Sequence, residues 1–326
     1  VHELLKTMKK LAAAGKSIII ITHKLNEVME VADRAMVMRT GKLIADVEIK
    51  DTTIEELSFM MVGRHLAETD IPAVEPGEDV LRIENLVLNG GGGTPALDRL
   101  SLHVRAGEIV GIAGVSGNGQ SELAQCIFGL VKPDGGSIKI RGREVGGCNV
   151  RAVRAAGAAM IPEDRYIWGS ASQATVTETG IMGHYIQPAF SHRGVLKSKK
   201  IQQFAQELID RFAVKTDGIE AKTGSLSGGN SQKLIAAREI MHKSPLLLAC
   251  EPTRGVDVGA MEFIHEQLVK KRAAGDGVLL ISSELSEIIK LSDRIYVMYR
   301  GRVNGEFTRG HVKEEELGLL MARGKA

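Results

Sequence analysis

Residues 3–63 of this 326-residue chain lie on residues 263–323 without a gap when shifted forward by 260 positions. Ile21, Leu25, Glu27, Asp33, Arg34, Val37, Met38 and Gly41 recur as Ile281, Leu285, Glu287, Asp293, Arg294, Val297, Met298 and Gly301. Glu55, Glu56, Leu57 and Met61 recur as Glu315, Glu316, Leu317 and Met321. A repeat this long marks a duplicated domain, because solenoid periods run only about 20–50 residues. Each copy reads as a helix, a buried strand (17–21; 278–281), a second helix, a second strand (35–39; 295–299), a glycine turn and a closing acidic helix. The first copy lacks a front. Residues 1–65 are therefore expected to be the tail of one domain, 66–78 a linker rich in Pro and acid, and 79–326 a complete second domain.

Composition narrows the partners. An apolar fraction of 44% with 25% charged residues suits a soluble protein with a sizeable core. A net charge of +2 gives no electrostatic reason to expect nucleic acid. No apolar run approaches the roughly 20 residues that span a bilayer, and the start is not signal-like. Cys126, Cys148 and Cys250 have spacings of neither a disulfide framework nor a zinc site, which points to a reducing cytoplasmic setting.

Three motifs carry chemistry. Ile109–Ala113 is a short buried-strand pattern, a helix pattern starts near Ser121, and Gly114-Val115-Ser116-Gly117-Asn118-Gly119-Gln120-Ser121 lies between them. This matches the phosphate loop G-x-x-x-x-G-K-[ST] at every fixed position but one. The backbone of Gly114, Ser116, Gly117, Asn118 and Gly119 can turn N–H groups inward on phosphate, with Glu122 just beyond. Ser121 stands where a hydroxyl would ligate Mg²⁺. Gln120 replaces the usual lysine; it can donate a hydrogen bond but brings no charge, and charge-assisted bonds are about twice as strong. Downstream, residues 245–251 form an apolar strand running into an acid. The slot for an Mg²⁺-holding Asp is Cys250, a poor ligand for a hard cation. Glu251 sits where a general base would polarise water, or else is a strand-end carboxylate pairing with Arg254. Third, Ser227, Gly228, Gly229 and Asn230 precede a helix-forming run at 231–241, so free N–H groups and the helix dipole offer an anion site.

In this order and spacing the motifs resemble an ABC transporter ATPase over essentially the whole chain. More narrowly the chain looks like the tandem ATPase subunits of bacterial monosaccharide and nucleoside importers. Their second half carries Pro-Glu-Asp-Arg (here 162–165) where most ABC proteins have a glutamine, and Pro-Thr-Arg-Gly-Val-Asp-Val-Gly-Ala (here 252–260). Residues 117–123 and 261–265 look closer to the nucleoside branch. The resemblance implies an α/β P-loop NTPase of ABC type, with a mixed sheet core, an antiparallel β subdomain and a helical signature subdomain. It implies ATP and Mg²⁺ as ligands and adds Asp257 to the nucleotide-binding set. Two ATPase domains would sandwich two nucleotides, each site joining the phosphate loop of one half to the Ser-Gly-Gly signature of the other. Implied partners are the first ATPase domain of the same polypeptide, integral-membrane permease subunits and, indirectly, a periplasmic or lipid-anchored solute-binding protein. That places the chain on the cytoplasmic face of the plasma membrane. Soluble relatives in DNA repair or translation would carry coiled-coil insertions, zinc motifs or a basic patch.

The repeat sharpens these implications. His23 is the histidine expected beside the γ-phosphate, and its counterpart is Ser283. A neutral hydroxyl cannot stabilise developing phosphate charge as imidazole does. The second domain thus departs at Gln120, Cys250 and Ser283, and no aromatic lies between Leu81 and Ile109 where the family stacks one on adenine. Such a site would bind nucleotide and hydrolyse it slowly, while its intact signature completes the other site. Tyr166, Trp168 and Met182 could dock on a permease or belong to the helical core, and Arg151, Arg154 and Arg165 could steer phosphates or else are surface charges that do little.

Overall fold

The computed structural model describes residues 2–22, 24–39, 41–63, 71–91, 94–310 and 314–323. Two compact units emerge, Val1–Asp70 with Val256–Phe263, and Ile71–Gly255 with Ile264–Ala326.

The smaller unit begins with α1 (His2–Ala13) and α2 (Leu25–Val31), continues through β1 (Arg34–Arg39) and β2 (Lys42–Glu48), and reaches α3 (Ile54–Val62). β1 and β2 form an antiparallel hairpin. A capping box starts α3: Thr53 accepts from the Glu56 N–H while the Glu56 carboxylate accepts from the Thr53 N–H. Gly63, at φ +84°, ends it in the left-handed conformation that glycine adopts without steric cost. Residues 17–21, expected to be a strand, form none. A strand exists through hydrogen bonds to a neighbour, and among the described residues this stretch pairs with nothing.

The larger unit opens with β3 (Asp79–Asn89), β4 (Pro95–Arg105) and β5 (Ile109–Ala113), followed by α4 (Gln120–Ile127). Next come β6 (Gly135–Ile140), β7 (Arg143–Glu144), α5 (Val150–Ala155) and β8 (Ala158–Ile161). A helical stretch holds α6 (Val176–Gly180), the short strands β9 (Ser191–His192) and β10 (Val195–Leu196), α7 (Ser198–Phe212) and α8 (Gly228–Met241). Then follow β11 (Leu246–Cys250), the part of α9 (Val258–Ala273) from Ile264 onward, β12 (Gly277–Ile281) and α10 (Leu285–Leu291). β13 (Arg294–Tyr299), β14 (Arg302–Thr308) and α11 (Glu314–Arg323) close the chain's described part.

The main sheet runs β14-β13-β5-β12-β11-β8, parallel except for β14. Every residue of β5, β11 and β12 is buried, the continuous apolar pattern of strands covered on both faces. Alternation splits the core accordingly. Val110, Ile112, Leu246, Leu248 and Leu279 face a cluster shared with the antiparallel β4-β3-β6-β7 sheet and α4, whereas Ile109, Ala113, Leu247, Val278 and Leu280 face Ile264, Leu268 and Ile288. This is the mixed core with an antiparallel subdomain that the sequence implies; α6, α7 and α8, packed on one another, make the helical part.

One expectation is corrected here. Arg154 is no surface charge: its guanidinium donates two bonds to the buried Glu239 carboxylate (2.9 and 3.0 Å), which also accepts from Arg238 Nε at 2.7 Å. Burial pushes the Glu239 carboxyl up, but Arg238 and Arg154 pull it down further, to about 2. Burial likewise holds the neighbouring His184 neutral, its pKa lowered to about 3.

Candidate functional site

The strands β5, β12, β11 and β8 run parallel, so their carboxyl ends open on one edge of the sheet. That edge is where open α/β sheets bind ligands. From β5 the chain enters the loop 114–121, whose residues Val115, Ser116 and Gly117 are exposed. Gly119 has φ +105°, and a Cβ there would sit 2.6 Å from the Ala96 carbonyl, so the turn requires glycine. Gln120 opens α4 and its Nε2 donates to the Val115 carbonyl at 3.2 Å, folding the uncharged amide back onto the loop. Glu122 follows in the first helical turn, at the positive end of the helix dipole. Asn118 serves as a fastener: Oδ1 accepts from the Arg300 N–H (2.9 Å), its carbonyl from the Gly301 N–H (3.0 Å), and Nδ2 donates to the Met321 carbonyl (3.4 Å).

Ser121 Oγ donates to Glu163 Oε2 at 2.7 Å. Glu163 lies just beyond the end of β8, in the Pro-Glu-Asp-Arg turn. Sequence reasoning missed it as a site residue, although a signal existed: an acid gained at 163 beside an acid lost at 250. Arg254 lies 3.8 Å from Glu163, and its charge also acts on Glu251. Cys250 is buried, and that burial, with Glu163 and Glu251 nearby, pushes its thiol far above the ordinary range.

Glu251 is held from the turn after β12. The Ser283 N–H donates to Oε1 (2.6 Å) and Ser283 Oγ to Oε2 (3.0 Å). Burial raises the Glu251 carboxyl above its usual range, and the Ser283 bonds offset part of that. Its φ of +47° is uncommon for a residue with a side chain. The turn after it is braced from within: Thr253 Oγ1 donates to the buried Glu287 Oε1 (2.8 Å), which also meets His265 Nε2 at 2.7 Å.

The third motif forms the start of α8. The helix begins at Gly228, three residues earlier than the sequence suggests, with Ser227 as N-cap. Ser227 Oγ accepts from Asn230 Nδ2 (2.9 Å), and Asn230 Oδ1 accepts from the Lys215 N–H (2.9 Å). Ser227 is exposed beside a shallow, open pocket of ≈ 300 Å³. Gln232 Nε2 donates to the Pro252 carbonyl (2.9 Å) and Arg165 Nη1 to the Arg254 carbonyl (2.6 Å), tying the helix start and the Pro-Glu-Asp-Arg turn to the end of β11. Arg165 fits there because Gly228 has no side chain; a Cβ would meet Nη2 at 2.9 Å. Asp257 accepts from the Ala260 N–H (2.9 Å) and caps α9. His23 lies outside the described residues.

Comparison with known proteins places this geometry. A family model described as "ABC transporter" matches residues 97–254. The nucleoside import ATP-binding protein NupA of Lactococcus lactis subsp. cremoris is 44% identical over 325 residues, covering 99% of this chain and 64% of that protein. The guanosine import ATP-binding protein NupO of Bacillus subtilis is 43% identical over 323 residues, covering 99% and 63%. A ribose import ATP-binding protein, RbsA of Caldanaerobacter subterraneus, is 36% identical over 325 residues, covering 99% and 64%. The chain thus spans less than two thirds of the length of these relatives. Among solved structures, an ATP-binding subunit of an ABC transporter superposes with TM-score 0.61 at 22% identity, over 75% of this chain and all of that one. A dimeric ATP-binding cassette with ADP and Pi bound gives TM-score 0.60 at 22% identity, over 70% and 98%. These two likenesses establish the fold.

Proposed function

We propose that this chain, which carries an ATP-binding domain of the ABC transporter family, works as part of an energy-coupling ATPase subunit in an importer of nucleosides or simple sugars. One observation carries the reading: the phosphate loop, Glu163, Glu251 and Ser283 converge on a single sheet edge. Relatives named for nucleoside, guanosine and ribose import support the solute class. In this reading residues 1–65 close one cassette, 66–78 link, and 79–326 form a second. The partners are the first cassette, membrane permease subunits and, through them, a solute-binding protein, at the cytoplasmic face of the membrane. Among the described residues no helix is long and apolar enough to cross a membrane. Tyr166, Ile167 and Trp168 are exposed on the turn that Asp164 caps, and they offer an apolar face to a permease.

The loop N–H groups bind the phosphates, Ser121 meets Mg²⁺, and Asp257 belongs to the nucleotide-binding set. Mg²⁺ neutralises phosphate charge when bound. Glu251 is the residue to accept a proton from water, but Ser283 occupies both of its oxygens, and Gln120 brings no cation to the phosphates. This cassette therefore holds nucleotide and turns it over slowly. Its Ser227-Gly228-Gly229-Asn230 helix start closes over nucleotide on the other cassette, where His23 serves. A second reading, a nucleotide-responsive module with no hydrolysis at all, draws on the same Ser283 clamp. Calorimetric titration with ATP–Mg²⁺ and a phosphate-release assay separate the two. In the full-length subunit, Ser227→Ala or His23→Ala should cut ATPase activity at least about tenfold, and Gln120→Lys should change it little. Near-normal rates in both alanine variants, or a severalfold rise with lysine, would overturn the assignment.

A further inference from the structure

We propose that the β9–β10 hairpin is a membrane foot, whose cations and bare apolar side chains lie against the anionic phospholipid of the cytoplasmic leaflet. The inference rests on the importer reading above only for the presence of a bilayer, and it assigns a surface that reading leaves unused. Charge comes first. No Asp or Glu occurs between Glu178 and Glu207, and Arg193, Lys197, Lys199 and Lys200 fall within that span. In a chain of net charge +2 this is a local excess of one sign, with no carboxylate beside it in sequence. Lys199 and Lys200 lie in the first turn of α7, which holds no acid. A helix start favours acidic side chains, so the stability of α7 does not account for lysines there.

The hairpin projects. Arg193 (φ +48°) and Gly194 (φ +82°) are both left-handed, as the two-residue turn of a tight hairpin requires. Val195 and Leu196 pair with His192 and Ser191. Adjacent strand residues point to opposite faces. Val195 is 70% and Leu196 49% exposed, so the hairpin is bare on both faces. Its base is fixed. Lys197 Nζ donates to the Pro188 carbonyl (2.6 Å) and the Lys197 N–H to the Phe190 carbonyl (2.8 Å), while Phe190 packs with Ile181 and Ile201 in a small core of their own. Tyr185 and Ile186, also exposed, precede that base in sequence. This combination selects lipid. A headgroup layer offers phosphates to the cations and an acyl boundary to the apolar side chains, the pairing by which interfacial segments bind. A nucleic-acid strand would meet the cations but leave Val195, Leu196 and Ile186 wet, and one exposed tyrosine is no stacking platform.

The test is sedimentation of this chain with sucrose-loaded vesicles, made of phosphatidylcholine alone or of a two-to-one mixture with phosphatidylglycerol. Wild type should bind the mixed vesicles at about 0.1 M salt and lose them at about 1 M, where the Debye length falls from about 10 to about 3 Å. Each basic residue near an anionic leaflet multiplies affinity about fivefold, so Arg193→Glu, Lys199→Glu and Lys200→Glu together should weaken binding about a hundredfold. Val195→Ser should weaken it severalfold. The same charge change at Lys42, Lys50 and Lys132, exposed lysines outside the span, should weaken it less than about threefold. Equal loss in that control would overturn the proposal, as would binding that ignores phosphatidylglycerol or salt. No vesicle binding by the wild type would also overturn it and leave the hairpin to a protein partner. Titration with N-methylanthraniloyl-ATP bears on the nucleotide-site reading alone: no probe binding beside intact vesicle binding would overturn that reading and leave this one standing.

Discussion

The two copies of the repeat have the same backbone and opposite surroundings. α2, β1 and β2 fall 260 residues before α10, β13 and β14, boundary for boundary. Their hairpins agree in register: Arg34 faces Glu48 as Arg294 faces Thr308, and the irregularity between Val37 and Met38 returns between Val297 and Met298. Burial reverses. Ile19, Ile21, Met36 and Met38 are 91, 97, 64 and 66% exposed, whereas Leu279, Ile281, Tyr296 and Met298 are 0, 7, 3 and 0%. The difference is one strand: β5 lies between β12 and β13, and residues 17–21 and β1 have no such neighbour among the described residues. A hairpin's register is set by its own turn and pattern, but burial depends on what arrives from elsewhere in the chain.

Three perturbations break or sharpen this contrast. The largest effect belongs to Leu279→Ala, which should lower the stability of the larger unit by roughly 2–5 kcal/mol, while its counterpart Ile19→Ala changes stability by less than about 0.5 kcal/mol. Urea unfolding read by hydrogen exchange in each unit checks both; equal losses would mean that the exposed copy is packed in solution. Acid comes next and acts on the larger unit. His184 is neutral in the fold with its pKa at about 3, so the unfolded chain gains its proton first and stability falls as pH drops from about 6.5 toward 3. Glu239, at about 2, adds a loss that begins as pH falls through the ordinary carboxylate range. Exchange rates in α6 and α8 should rise through this window by an amount worth a few kcal/mol, and Arg154→Met should make the midpoint less acid-sensitive at the cost of lower stability at neutral pH. The smallest effect is Thr53→Ala, which removes one half of the α3 capping box and should cost about 1 kcal/mol, confined to exchange in the smaller unit.

What could be read in advance follows the same division. The loop 114–121 was readable residue by residue, because phosphate-cradling backbone demands glycine at fixed places, and Gly119 has no room for a side chain. The core strands announced themselves as apolar runs. Residues 17–21 did so too and misled, since Ile-Ile-Ile-Ile encodes a wish for burial but cannot supply the neighbour. Arg154 and Glu163 were opaque for a related reason. Their partners, Glu239 and Ser121, are 85 and 42 residues away, and only the parallel order of β8, β11, β12 and β5 brings them within reach. Arginine and glutamate look the same in sequence whether they meet water or each other.

Asn118 has a consequence for how the larger unit responds to a ligand. One residue of the phosphate loop holds the β13–β14 turn through Arg300 and Gly301 and the closing helix α11 through Met321. Any change of loop shape on binding is thereby felt as a change in the docking energy of α11. Linkage is reciprocal, so a partner that seats or displaces that helix shifts the loop's affinity by the same factor. The end of the domain acts as a dial on its beginning.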